Sequence, residues 1–250
     1  MKRKYFSEIL RALFLMCGIA LIFIHDADSK EIVSFTAEDG LNIAGDLYLP
    51  ENNNRTFILL HGYGGDREDW ASFAQELEEK GFGYLALDLR GHGASVSKGY
   101  TYEQFDKSME YSEWQKMIRD IEFAVDFLVE QKNVKHKKIG IIGSDIGANL
   151  ALRYAVTDAK VQPVIMISPG MDYLGIGTGP VVSGYVNRPL MIVSAFKDEY
   201  SYETCLTFMS YLSSNANLKF LQIPGDKHGI SLIDQKFIEY VIDWLEALDR

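Results

Sequence analysis

Several short stretches of this chain gather residues able to move protons or attack carbon, and each follows an apolar run. Phe57 to Leu60 leads into His61-Gly62-Tyr63-Gly64-Gly65, and Tyr84 to Leu87 leads into Asp88-Leu89-Arg90-Gly91-His92-Gly93-Ala94-Ser95. Ile139 to Ile142 leads into Gly143-Ser144-Asp145-Ile146-Gly147, with the helical stretch Leu150 to Tyr154 beyond it. Farther on come Lys197-Asp198-Glu199 and Gly225-Asp226-Lys227-His228-Gly229. A carboxylate is anionic at neutral pH and can attack carbon without help from a base. An imidazole can take or direct a proton, and a second carboxylate can hold its other nitrogen and stabilise the cation that forms. Several aspartates and histidines in these stretches are of the types those tasks require.

The elements that must bring them together are legible in the apolar pattern. Ile32 to Thr36 and Ile43 to Leu49 flank Glu38-Asp39-Gly40, a turn signal between two strand-like runs, and predict an antiparallel hairpin. From Phe57 onward the runs become short and nearly continuous, as strands buried on both faces read: Phe57 to Leu60, Tyr84 to Leu87, Ile139 to Ile142, Pro163 to Ile167, Pro189 to Ser194 and Leu218 to Ile223. Between them, apolar residues at helical spacing mark Trp70 to Leu77, Trp114 to Leu128, Phe208 to Leu212 and Phe237 to Leu248. Their aromatic stripes are read as core packing. This alternation predicts one mostly parallel, doubly wound sheet covered by helices, with its chemistry at the carboxyl ends of the strands.

Composition narrows the function. With 250 residues, 47% hydrophobic and 24% charged, the chain can bury a large core, and its formal charge of -10 leaves no excess of Lys and Arg to displace counterions from nucleic acid. A small-molecule substrate is expected, with no nucleic-acid partner, no cofactor and no metal. The basic run Lys135-His136-Lys137-Lys138 reads as a solvated strand entrance. Cys17 and Cys205 are too few for a disulfide framework. Lys2, Arg3, Lys4 and Arg11 precede an apolar run from Ala12 to Ile24, so residues 1–28 are expected to be a signal peptide or an N-terminal membrane anchor, and residues 31–250 the folded domain. The protein is accordingly expected outside the cytoplasm, periplasmic, extracellular or anchored facing outward, and meeting a membrane only through that segment if it is uncleaved. Oligomeric state is left open by the sequence.

Gly143-x-Asp145-x-Gly147 after a strand, followed in chain order by Asp198 and His228, resembles the nucleophile elbow, acid and histidine of the α/β-hydrolase superfamily, and the likeness covers essentially everything after the leader. The resemblance implies a single-domain α/β-hydrolase fold with an N-terminal antiparallel hairpin and no large cap, since Ser168 to Arg188 has room for only a small glycine-rich flap. It implies Asp145, Asp198 and His228 as the catalytic triad and the backbone N–H groups of Tyr63 and Ile146 as an oxyanion hole. His61 and His92 are read as braces of loop backbone. The apex departs from the family's usual Ser or Cys. An aspartate there is similar to the branches resembling haloalkane dehalogenases and epoxide hydrolases, which form an alkyl-enzyme ester that histidine-activated water then hydrolyses. Those branches usually carry Trp after the aspartate and tyrosines in a cap, whereas Ile146 follows here and only Tyr173 and Tyr185 stand in the flap, with Tyr63 nearby. The compact layout is instead similar to dienelactone-hydrolase-like and small-esterase branches. Ser144, beside the apex, is expected to point away from the groove. Three readings follow: a hydrolase using an Asp-His-Asp triad through a covalent ester, a catalytically silent binding protein, or an acylhydrolase with an atypical nucleophile.

Overall fold

The computed structural model describes residues 30–52, 54–105 and 112–248, and the segment expected to be a signal peptide or membrane anchor, with Cys17, lies outside them. Strands β1 (Glu31–Thr36) and β2 (Asn42–Tyr48) form the predicted antiparallel hairpin, with Phe35 opposite Ile43. Its turn closes by the Ala37 N–H donating to Leu41 O at 2.8 Å. Then follow β3 (Thr56–Leu60), α1 (Ala71–Glu79), β4 (Gly83–Leu87), α2 (Glu113–Asp126), β5 (Ile139–Ser144), α3 (Ile146–Thr157) and β6 (Val164–Ile167). A small hairpin, β7 (Asp172–Tyr173) and β8 (Ile176–Gly177), precedes β9 (Leu190–Ala195), α4 (Glu199–Tyr211), β10 (Leu218–Ile223) and α5 (Gln235–Leu248).

Eight strands make one sheet in the order β1-β2-β4-β3-β5-β6-β9-β10, parallel from β4 to β10. The order dictates where a site can form. The chain goes outward from β3 to β4, then crosses back to lay β5 on the other side of β3, so the loops after β3 and β5 part around a crevice. Leu60 pairs with Gly143 in register, which sets the Gly62-Tyr63 turn beside the Asp145 turn.

Both faces of the sheet are covered, which is why its strands read as continuous apolar runs. All five residues of β3 are buried, and they alternate between two cores. Ile58 and Leu60 pack with Trp114, Met117 and Ile121 of α2 and with Phe208 of α4, whereas Phe57 and Leu59 pack with Phe73 and Leu77 of α1 and with Val241 and Leu245 of α5. Each such side chain contributes roughly 1.5–3 kcal/mol on burial. Helix α2 turns Trp114, Met117, Ile121, Ala124 and Val125 inward, while Arg119 pairs with Glu122 on its outer face. Behind the loop after β4, Arg90 is almost wholly buried and bonds Asp120 of α2, Asp39 of the first hairpin turn and Glu113. One guanidinium thus ties three elements under the site. Among the described residues no helix is long and apolar enough to cross a membrane.

The segment between β6 and β9 is a flap, as expected from its length, but it is more ordered than its glycines suggest. Leu174 and Gly175 both take positive φ, 53° and 82°, which makes the two-residue turn between β7 and β8. Pro180–Tyr185 then forms a 3₁₀ turn. Helix α4 also begins earlier than its apolar periodicity indicates, directly after Asp198.

Candidate active site

The turn from β5 into α3 is possible only because of its glycines. Asp145 sits at φ 54°, ψ -121°, a backbone conformation that is strained for a residue with a Cβ and costs on the order of 1–3 kcal/mol. A Cβ on Gly143 would fall 2.1 Å from Gly147 O, and one on Gly147 would fall 2.3 Å from Leu60 O and 2.5 Å from His61 O. The apex itself is fixed from both sides. Its N–H donates to Ile167 O at 2.9 Å, and its carbonyl accepts from Ala148 N at 3.0 Å to open α3. The strain is therefore over-determined by the sheet and the helix start, and the carboxyl group is thrust above the strand tips.

Around that carboxylate the loops converge. Tyr63 N–H donates to Asp145 Oδ2 at 2.9 Å, and the close approach of the two turns needs Gly62, whose Cβ would lie 3.1 Å from that of Asp145. Asp145 Oδ1 faces His228 Nε2 at 3.5 Å, and His228 Nδ1 donates to Asp198 Oδ2 at 2.7 Å. Ile146 opens α3, among the amides that have no helical carbonyl to bond. The structure thus brings Asp145, Asp198 and His228 into one chain of contacts, with the Tyr63 amide on the far oxygen of the first. The Asp145 carboxylate, followed by Asp198, holds the His228 proton affinity above the ordinary imidazole value, against the effect of burial.

The loop that carries His228 is also anchored. His228 N–H donates to Ser231 Oγ at 3.1 Å, the Ser231 hydroxyl donates back to His228 O at 2.6 Å, and Gly229 N–H donates to Ser168 Oγ at 2.8 Å. Ser144 is fully buried beneath this loop, where a Cβ on Gly229 would lie 3.0 Å from its hydroxyl, and that hydroxyl has no hydrogen-bond partner among the described residues. It is in no position to act in place of Asp145.

The other two histidines brace the loops. His61 is buried, its Nδ1 donating to Gly62 O at 2.7 Å and its Nε2 accepting from Leu89 N–H at 3.0 Å; burial pushes its pKa down to about 4, so it is neutral at pH 7. His92 bonds Arg90 O through Nδ1 and stacks on Tyr102 with ring centroids 4.2 Å apart. Asp88, also buried, accepts from Arg67 N–H at 2.9 Å, from Ala94 N–H at 2.7 Å and from the Arg67 guanidinium. Tyr185 is buried and donates to Pro189 O, a packing role. The cleft above Asp145 has a volume of about 320 Å³, and its lining includes Gly62, Tyr63, Asp69, Asp145, His228 and, at its floor, the buried Ser144. Such a volume suits a small ligand.

Residues 51–196 match the model of a protein family described as serine aminopeptidase, S33, well over half of the chain. The chain belongs to this family of α/β hydrolases. Several solved structures share its fold. DcsB, solved with a substrate analogue, superposes with a TM-score of 0.74 at 14% identity over 88% of this chain and 99% of that one. The esterase of Pyrococcus furiosus gives 0.68 at 23% over 89% and 94%, and the dienelactone hydrolase of Anabaena variabilis 0.66 at 17% over 86% and 97%. Among curated relatives, the thiohydrolase aneE of Aspergillus aculeatus is 30% identical over 138 residues, and the chain spans 41% of that protein's length while 55% of the chain is matched. Among the described residues the segment between β6 and β9 holds only the β7–β8 hairpin and the 3₁₀ turn. Sequence reasoning missed Asn149, whose amide side chain bonds Gly170 N, Gly170 O and Ile176 O, and Tyr200, which bonds the flap. The one signal for Asn149 was a polar residue on the buried face of α3.

Proposed function

We propose that this hydrolase cleaves small organic electrophiles at an alkyl carbon, with Asp145 as nucleophile, His228 as base and Asp198 as the group that orients it. The observation that carries the reading is the placement of the two oxygens of Asp145: Oδ2 on the Tyr63 amide at 2.9 Å, Oδ1 toward His228 at 3.5 Å. An acyl substrate needs the oxyanion hole for its own carbonyl oxygen, and here a carboxylate oxygen holds it. Attack on an ester would also give a mixed anhydride. An sp³ carbon makes no such demand, because no oxyanion forms on the substrate.

In the first step Oδ1 forms a bond to the alkyl carbon while the leaving group departs with the electrons of its own bond. In the second, His228 takes a proton from water, and the water oxygen adds to Cγ of Asp145. The negative charge then collects on Oδ2, against the N–H groups of Tyr63 and Ile146. Collapse breaks the bond from Cγ to the alkyl-bearing oxygen, which takes the proton back from the His228 imidazolium, and the alcohol leaves with that oxygen. The charge arrangement orders the two steps. In the resting site the imidazole lies between two carboxylates, which favour its cation. Once Asp145 is an ester one of those charges is gone, and His228 gives up its proton more readily just when a base is required.

The test is a single turnover in ¹⁸O water on a panel of haloalkanes and epoxides. The first product is expected to carry ordinary oxygen, taken from Asp145, while the enzyme gains one heavy oxygen at that residue. Label in the first product would overturn the covalent reading. A second reading, a binding protein without turnover, is supported by Ile146 standing buried where a leaving-group donor is usual; no product from any member of the panel would favour it. The basic and apolar run from Lys2 to Ile24 supports placing the activity outside the cytoplasm.

A further inference from the structure

The β7–β8 hairpin takes no part in these steps, yet it is held by more than its length requires. One side chain occupies both backbone groups of its first residue: Asp172 N–H donates to Tyr200 Oη at 2.9 Å, and the Tyr200 hydroxyl is 2.9 Å from Asp172 O. Gly170 lies in the narrow space between two rings, since a Cβ there would fall 2.7 Å from both Tyr173 and Tyr200. Tyr200 belongs to the first turn of α4, two residues after Asp198, so one helix start carries both a member of the site and the anchor of the hairpin. Next to the anchored residue, Tyr173 sets its ring edge-on to Tyr200, with centroids 5.6 Å apart, and to His228 at 6.3 Å and 88°. Burial, and after it the charges of Asp145 and Asp198, raise the Tyr173 phenol well above its ordinary range, as befits a ring beside both carboxylates.

We infer that Tyr200 is a positioning residue: by clamping Asp172 it holds the Tyr173 ring edge-on beside His228, where the ring covers one side of a side chain that is otherwise 42% exposed and fixes the imidazole's orientation toward Asp198. Asn149 and Thr178 grip the hairpin's two ends, at Gly170, Met171 and Ile176, Gln115 Nε2 donates to Gly175 O at its turn at 2.5 Å, and the Tyr173 hydroxyl lies 3.4 Å from Ser168 O; the Tyr200 clamp acts at Asp172, next to the ring that meets His228. An imidazole covered on one side in this way keeps its donor on Asp198 and its Nε2 toward Asp145. The inference rests on the acid–base role of His228 given above. Its test is read on the histidine proton itself, so the two can fail separately.

In the full chain, the His228 Nδ1 proton is observed by NMR and its exchange with solvent is measured for wild type, Tyr200→Phe, Tyr173→Leu and Tyr211→Phe. Tyr211 lies exposed on the same helix and serves as the control. Losing two hydrogen bonds at the anchor is expected to speed exchange about tenfold in Tyr200→Phe. Tyr173→Leu, which removes the shielding ring and keeps the anchor, should match it, while Tyr211→Phe should follow wild type. Exchange in Tyr200→Phe within about twofold of wild type would overturn the inference. So would equal acceleration in Tyr211→Phe, which would mean a general loosening of α4. If the clamp variants behave as expected and no labelled oxygen ever enters Asp145, the positioning role stands and the covalent reading falls.

Discussion

His228→Gln is expected to stop the reaction halfway, with a covalent ester on Asp145. The first step needs only the carboxylate, whose Oδ2 remains on the Tyr63 amide, so ester formation should continue. The second step loses its base, a contribution that commonly amounts to about 10³-fold in rate. With a haloalkane or epoxide that the wild type turns over, intact-protein mass spectrometry should show one added alkyl group, located to the peptide that contains Asp145. Should the variant carry no adduct although the wild type consumes the compound, Asp145 is not the attacking group.

Asp145→Asn should both abolish turnover and lower the proton affinity of His228. An amide has no anionic oxygen with which to attack, so activity is expected to fall by roughly 10³-fold or more. The same substitution removes the charge that most favours the imidazolium. In the wild type the Asp145 carboxylate holds the His228 proton affinity above the ordinary imidazole value; in the variant the NMR midpoint should drop. The sign carries to stability. A raised folded-state value means that the imidazolium stabilises the fold below the ordinary midpoint, and that this contribution is lost as pH rises through the raised one. Thermal midpoints of the wild type should therefore fall on going from acid of that window to above it, and the variant should show a smaller change. An unchanged His228 midpoint in Asp145→Asn would mean that the 3.5 Å approach has no electrostatic consequence.

Much of this arrangement could be read before any coordinates. Strands buried on two faces leave an unbroken apolar signature, so β3, β4 and β5 were legible to within two residues at either end. The glycines of the apex were legible too, because backbone approaches of 2.1 and 2.3 Å leave no other residue a place there. The identity of the three converging residues came from the resemblance of the elbow and of their chain order to those of the α/β-hydrolase superfamily, together with their position after strands. The flap hairpin did not, since Leu174-Gly175 is not a usual two-residue turn and its strands are two residues long. The first turns of helix α4 were hidden because Leu206 and Met209 point to solvent and blur its apolar stripe. The assignment of each Asp145 oxygen to a different neighbour is finer than any pattern of residue types, as it depends on angles at a single side chain.

The apex carboxylate also bears on how such a protein is noticed. Reagents used to survey hydrolases across whole cells, such as fluorophosphonates, report a polarised hydroxyl or thiol, and at this turn the only hydroxyl is that of Ser144, sealed beneath the loop of residue 229. A chain so built would remain unlabelled in those surveys whatever its turnover, and its chemistry would be sought instead with alkylating compounds that mark an acid side chain.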